Sequence, residues 1–332
     1  MSKVLEQLAA ALRRGETATL VTVVMAKGSG PRNPGAHMLV LADGSISGTV
    51  GGGELEWQAI EEAKSNTPGV WRKDFVLGPD LGQCCGGRMT LQFELCLPEQ
   101  LPTWQALLQD PEALYWTVFD QDSNEIVRRK PSPELLATLS EDLSLFYPID
   151  HNSYLERFAE KRMPLFLFGA GHIGKALTMS LAALPIKVTW LDNRPEIFPS
   201  LMPRSIATKA FTSAPQELHA LPEKSAVLVM THDHALDLEI CLSALQNSSC
   251  MFLGLIGSST KRTRFINRLS AAGLTKSQLD KFQCPIGVGG ITSKEPTSIA
   301  ASVAAQLLQL RERLFKSVAN QPMTNQMDEV NV

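Results

Sequence analysis

The sequence predicts an α/β protein, with a parallel sheet carrying helices on both faces in its C-terminal part and a smaller mixed α+β domain before it. Three observations predict this. From Pro164 onward, short apolar runs at 165–168, 188–191, 226–230 and 252–256 alternate with helix-patterned segments, the texture of strands buried on both faces. The glycine-rich turn Gly169-Ala170-Gly171-His172-Ile173-Gly174 directly follows the first run and opens a helix. Residues 1–150 read differently, as β-branched runs separated by glycine-rich loops, which suits strands joined by turns.

The chain of 332 residues is long enough for two independent cores. Its 44% hydrophobic and 20% charged composition is that of a globular protein, and a net charge of −3 gives no field drawing it to nucleic acid or an anionic membrane. The first residues read as an amphipathic helix, because Glu6 and then Arg13-Arg14 interrupt any signal-type apolar core. The longest uncharged stretch near the end, 296–310, falls short of the roughly 20 residues a spanning helix requires. A cytoplasmic location with no membrane partner is expected. Six cysteines are too few for a disulfide scaffold, so reduced thiols are expected, with Cys96, Cys241, Cys250 and Cys284 as small core hydrophobes.

Along the first domain, residues 17–26 form a β-branched strand, and strands 36–41 and 45–50 meet at Asp43-Gly44, a hairpin signal. Gly51-Gly52-Gly53 leads into a helix over 54–64 with Leu55, Ile60 and Ala63 inward. Strands at 88–97 and 115–120 and a helix at 133–143 follow, and the polar stretch near 150–153 marks the domain boundary. The second domain spans 164–316, with helices at 173–183, 215–220, 235–246 and 261–272. A closing helix over 297–316 carries Ile299, Val303, Leu307, Leu308 and Leu310 on its apolar side. The polar tail, 317–332, is expected to be disordered.

The glycine turn is of the type that holds a nucleotide-like ligand. Gly169 permits the tight turn, Gly171 lets a phosphate approach the backbone, and Gly174 lets helix and strand pack closely. Free N–H groups and the positive helix end then face the anion. A second strand ends in Asp192, 18 residues past Gly174, where a Rossmann-type fold places the carboxylate for a ribose hydroxyl; a turn or cap role is its plainer alternative. The same residues approach a P-loop through Gly174-Lys175, but Ala176 replaces the magnesium-binding hydroxyl, which argues against ATP hydrolysis. After the 226–230 strand comes Thr231-His232-Asp233-His234. Its two histidines read as ligand-facing or as a pair of metal ligands lacking a legible third, and Asp233 doubles as a helix cap. His172 is expected to face solvent or the ligand. Gly257-Ser258-Ser259-Thr260-Lys261-Arg262 reads either as a second anion nest or as an ordinary cap with a solvated basic face.

The least ordinary segment is Gly82-Gln83-Cys84-Cys85-Gly86-Gly87-Arg88. Its glycines let backbone amides converge on a thiolate or an anion, and Arg88 would lower the pKa of a neighbouring thiol. Adjacent cysteines make a poor tetrahedral zinc site, so soft-metal or sulfur chemistry is the better reading, with a pair of buried small residues as its rival. The loops 28–35, with Arg32, and 51–53, with Gly52 ahead of Glu54, look like further places where backbone approaches a ligand closely.

Seven motifs now stand in order: Gly28-Ser29-Gly30-Pro31-Arg32, Gly48-Thr49-Val50-Gly51-Gly52-Gly53-Glu54-Leu55-Glu56, the Cys84-Cys85 segment, Phe168 to Gly174, Thr231 to His234, Gly254-Leu255-Ile256-Gly257 and Cys284-Pro285-Ile286-Gly287. Together the chain resembles the XdhC/CoxI family of xanthine dehydrogenase accessory proteins over roughly residues 10–310, departing from it at Gly289-Gly290-Ile291. The resemblance implies a chaperone that binds the molybdenum cofactor, as molybdopterin or its cytosine dinucleotide form. It would protect the cofactor while a cysteine desulfurase installs a sulfido ligand, then deliver it to a xanthine dehydrogenase-like molybdenum hydroxylase. The family's important cysteine falls within Cys84-Cys85, which would contact the molybdenum. Client, desulfurase and a second copy of the chain are the expected partners. The alternative that the Rossmann-type turn keeps open is a NAD(P)-dependent oxidoreductase.

Overall fold

In the computed structural model the chain falls into two compact units, Met1–Glu160 and Lys161–Lys316, described over residues 3–65, 67–77, 87–120, 123–137, 146–203 and 205–315. Cys84, Cys85, Gly86 and the tail 317–332 lie outside the described residues.

The first unit contains α1 (Lys3–Arg13), β1 (Ala18–Lys27), β2 (His37–Leu41), β3 (Ile46–Gly48), α2 (Gly53–Ala63), β4 (Val70–Val76), β5 (Arg88–Cys96), α3 (Leu101–Gln109), β6 (Tyr115–Asp120), β7 (Glu125–Arg129), α4 (Pro133–Ala137), β8 (Phe146–Pro148) and β9 (Ser153–Glu156). Its strands form two antiparallel sheets, of order β3-β2-β1-β5-β4 and β7-β6-β9-β8. The period-2 alternation of β1 and β5 sends Val21, Val23, Leu91 and Phe93 to one face, where α2 covers them with Leu55, Ala59 and Ala63. Around Leu20, Leu39 and Cys96, the apolar side of α1 (Leu5, Leu8, Leu12) and Trp104 of α3 close a second core.

Polar side chains clasp the two sheets together. Arg128 of β7, 2% exposed, forks onto Glu94 of β5 at 2.9 and 2.6 Å and reaches Glu156 of β9 at 3.1 Å. Thr117 donates to Glu156 at 2.6 Å, and Gln92 donates to the Tyr154 hydroxyl at 2.7 Å. A guanidinium facing two carboxylates satisfies the geometry that a buried ion pair requires. The polar residues at 150–153, read as a domain boundary, instead turn the chain between β8 and β9, with Asp150 accepting from Asn152 N–H and the Ser153 hydroxyl. Sequence alone could not distinguish this hairpin from a linker, because both use short polar turn formers.

The second unit contains β10 (Met163–Phe168), α5 (His172–Leu181), β11 (Ile186–Asp192), β12 (Ile206–Ala210), α6 (Ala214–His219), β13 (Ser225–Val229), α7 (His234–Gln246), β14 (Cys250–Leu255), α8 (Ser259–Ala271), α9 (Lys276–Leu279), β15 (Phe282–Gln283) and α10 (Pro296–Leu314). Its six strands are parallel in the order β12-β11-β10-β13-β14-β15, the doubly wound Rossmann arrangement. Leu165, Leu167, Val188 and Trp190 pack under α5 and α10. Phe168, Leu191, Val227 and Leu253 pack under α6, α7 and α8. The edge strands β12 and β15 were not legible in advance; β12 is mostly exposed and β15 has two residues, too little for a periodic signal. Cys96, Cys241, Cys250 and Cys284 are free and buried, as expected of core thiols.

Candidate functional site

In the first unit, three glycine-bearing loops converge. Leu77 N–H donates to Gly87 carbonyl O at 2.7 Å, closing the base of the segment that carries Cys84 and Cys85 onto the β4–β5 hairpin. A Cβ at Gly87 would lie 2.7 Å from the carbonyl oxygens of both Lys27 and Ser29, and one at Gly51 would overlap the Pro31 ring. The loop before β5 therefore meets the loop after β1 backbone to backbone, and the loop before α2 packs Gly51 against the Pro31 ring, approaches that a side chain at either glycine would block.

Glu56, rather than Glu54, organises the loop before α2. Its carboxylate accepts from the Thr49 hydroxyl, Val50 N–H at 3.3 Å and Gly52 N–H at 3.2 Å. Gly51, Gly52 and Gly53 all have positive φ, so the turn bends back on the helix and this inward carboxylate fills it. Glu54 accepts from Gln58 at 3.0 Å. Glu56 was missed as a site residue although it stands in the quoted motif; a carboxylate one turn into a helix behind a glycine run was the available signal. Arg32 is exposed on the first loop. Arg88 is engaged elsewhere than expected. It pairs with Asp74 at 2.5 Å and is more than half exposed, so its charge is shared with a carboxylate. Asp74 is held below the usual carboxylate range, chiefly by hydrogen bonds from Thr90 and Arg88.

In the second unit the carboxyl ends of β10 and β13 adjoin at the topological switch point, where open α/β sheets bind ligands. The three glycines differ in what surrounds them. Gly169, at φ +108°, would drive a Cβ into Met230 carbonyl O, and Gly174 would drive one into Gly169 carbonyl O. At Gly171 an added Cβ would meet nothing within 4 Å, and no side chain caps α5 there. The turn thus presents open space and, among the described residues, helix N–H groups that no side chain claims. Trp190 braces it from below, its indole N–H donating to Gly169 carbonyl O at 3.0 Å.

Asp192 is placed as a turn residue, the plainer of its two sequence readings. Its carboxylate is 3% exposed and accepts from Ala170 N–H at 2.7 Å, Arg194 N–H at 3.0 Å, Arg194 Nε at 2.9 Å and Arg194 Nη2 at 3.0 Å. Burial alone would raise its pKa, but these hydrogen bonds hold it below the usual range. No acceptor remains for a ribose hydroxyl, because residue 194 folds back on the strand end, a tertiary fact invisible in spacing.

His232 and His234 are exposed on either side of Asp233, which caps α7 by accepting from Ala235 and Leu236 N–H at 2.7 and 3.3 Å. Among the described residues no group of three or more His, Cys, Asp or Glu side chains is placed to hold a metal. His172 is the exposed first residue of α5. Ser258 caps α8 through Lys261 N–H at 3.2 Å, and the Lys261 side chain turns inward rather than into solvent. Its ammonium donates to buried Asp237 at 2.7 Å and to Ile256 carbonyl O at 3.1 Å, while Asp237 also takes the Thr231 hydroxyl at 2.6 Å. This Lys261–Asp237–Thr231 chain, unforeseen from the sequence, ties together the loops after β13 and β14. An acidic residue in line with Ile240, Cys241 and Ala244 on the apolar face of α7 was its only trace.

Comparison with known proteins agrees with this layout. Residues 165–307 match the family described as XdhC Rossmann domain, and residues 11–67 match the XdhC and CoxI family. The chain is 27% identical over 302 residues to the uncharacterized protein YqeB of Escherichia coli, covering 88% of this chain but spanning only 43% of that relative's length. It is 26% identical to a probable xanthine dehydrogenase subunit of Bacillus subtilis, over 92% of this chain and 97% of the relative. The molybdenum cofactor insertion chaperone PaoD of Escherichia coli is 26% identical over 91% of this chain and 86% of its own length. A solved structure of a xanthine dehydrogenase from Bacillus halodurans shares the fold, with a TM-score of 0.73 at 21% identity, covering 97% of this chain and 98% of that one.

Proposed function

Because the chain belongs to the XdhC and CoxI family, we propose that it is a maturation factor for molybdenum hydroxylases. It binds the molybdenum cofactor as cargo, shields it while a cysteine desulfurase installs the terminal sulfido ligand, and passes it to a xanthine dehydrogenase-like client. The observation that carries this reading is the loop after β1, which packs against both Gly87, at the base of the Cys84-Cys85 segment, and Gly51, ahead of α2. Relatives named as an insertion chaperone and as part of a xanthine dehydrogenase support it.

The cargo chemistry suits the two kinds of surface. A phosphate finds open backbone N–H groups at Gly171 and the start of α5. A soft molybdenum–sulfur centre finds a thiolate, a contact strong enough to hold and weak enough to release. Cys84 and Cys85, with Arg32, Gly52 and Glu54 on the neighbouring loops, are the residues we assign to the second.

The test is mass analysis of the small molecule that copurifies from cells making the cofactor, alongside the client's activity in cells lacking this chain. Copurifying molybdopterin, in either form, with client present in full amount but inactive without the chain, is the expected result. Client that is fully active in the deletion strain would overturn the reading. The dinucleotide-type strand order favours one second reading, a NAD(P)-dependent oxidoreductase; copurified nicotinamide cofactor together with hydride-transfer turnover would replace the first with it.

A further inference from the structure

The end of β11 is built to read charge rather than hydroxyls. An ionised carboxylate offers about four lone-pair sites, and all four of Asp192's are taken, three of them by Arg194. A Rossmann crevice that recognises a bare ribose diol does so by accepting hydroxyl protons on this carboxylate, an option closed here. A guanidinium carries five N–H donors in a rigid fork. Arg194 spends two on Asp192, and the other three have no hydrogen-bond partner among the described residues. Its side chain is 37% exposed. Glu196 lies close enough to act on it electrostatically but makes no hydrogen bond with it.

The same carboxylate also holds Ala170 N–H, the residue between Gly169 and Gly171. Arg194 and the open turn are thus anchored on one buried group and stand beside each other at the carboxyl edge of adjacent strands. A planar fork with unused donors is the group suited to bidentate contact with phosphate.

We propose that this crevice selects a ligand presenting two phosphoryl groups, one to the Gly171 turn and the second to Arg194. This rests on the reading that the turn takes a phosphate. The second phosphoryl group could belong to a 5′-diphosphate, as in a dinucleotide form of the cargo, or to a ribose 2′-phosphate.

Calorimetric titration of the full chain with 5′-AMP, 5′-ADP and adenosine 2′,5′-bisphosphate tests this. At least one of the two-phosphate probes should bind tenfold or more tighter than 5′-AMP, and which one does identifies the source of the second phosphate. Arg194→Ala should erase that preference, so that neither two-phosphate probe binds tighter than 5′-AMP does to the same variant. Arg194→Lys, which keeps the charge but not the fork, should retain only part of it, and unchanged thermal unfolding of Arg194→Lys guards against a folding artefact. Binding of 5′-AMP with no preference for a second phosphate, or a preference that survives Arg194→Ala, would overturn the role of Arg194 alone. If none of the three probes binds, the reading of the turn as a phosphate site falls with it.

Discussion

At Gly174 a methyl group would press on Gly169 carbonyl O and come within 3.3 Å of the Trp190 indole nitrogen, whereas at Gly171 it would enter open space. The two positions should therefore separate folding from binding. Gly174→Ala is expected to lower stability by about 1–3 kcal/mol, the ordinary range for overpacking, measured by urea unfolding. Gly171→Val, in extended backbone at φ −71°, should unfold at the parent's midpoint yet lose affinity for the phosphate-bearing ligand. If Gly171→Val binds as well as the parent, the turn is only architectural. Cys84 and Cys85 pose the same question in the first unit. Two adjacent side chains cannot both face one small ligand, so Cys84→Ala and Cys85→Ala should both fold, and one should cost far more cofactor binding and client activation than the other. A double variant that still loads the client would assign both thiols a structural part.

At the scale of elements, α7 and α8 are positioned by a buried ion pair rather than by their caps alone. Lys261 reaches Asp237, which is fully buried, and Asp237 holds Thr231 at the end of β13. Removing the cation strands a buried carboxylate, and Lys261→Met should cost about 3–5 kcal/mol. The Lys261→Met, Asp237→Leu double variant should recover much of that loss, since replacing a whole buried pair by apolar groups is often neutral. Hydrogen exchange at residues 230–234 should quicken in the single variant. A single variant as stable as the parent would show that the pair contributes nothing to the loop that carries His232 and His234. The same logic applies to α2, where Glu56 holds three donors of the preceding turn; the helix supplies the carboxylate that its own entry loop needs.

Across the whole first unit, the two sheets meet over a charged core whose balance depends on pH. His37 is buried against Phe158, with its rings stacked 5.0 Å apart, Thr22 at 3.1 Å from Nδ1 and Glu156 at 3.6 Å from Nε2. Burial pushes the imidazole's pKa down, Glu156 opposes that, and Arg128 adds to it. The folded protein thus keeps His37 neutral at a pH where the unfolded chain takes up a proton. A depressed folded pKa means that stability is fully present above the unfolded value, near 6.5, and declines as pH falls below it. Urea midpoints should accordingly drop between pH 7.5 and 5.5 and drop less in His37→Gln, which cannot titrate. An equal slope in both proteins would place the titration elsewhere. Among the described residues no helix is long and apolar enough to cross a membrane.

The sequence alone determined the alternating strands and helices of the second unit, the hairpin at Asp43-Gly44 and the identity of the glycine turn. These depend on local rules: period, turn chemistry and the order of strand, turn and helix. It also singled out glycine loops of the first unit that the fold packs closely together, since glycine runs beside Arg32, Glu54 and the cysteines are not core texture. Only tertiary structure decided what those residues touch. Asp192 stands at the spacing of a ribose-binding carboxylate, yet its four acceptor sites are filled by residues 170 and 194. Arg88 meets Asp74 because β4 and β5 pair in one register, and Lys261 turns inward because Asp237 lies one helix away. Spacing along a chain says where a side chain starts; hydrogen bonds and charges are satisfied by whatever the folded neighbours bring within about 3 Å, and that company is assembled from distant segments.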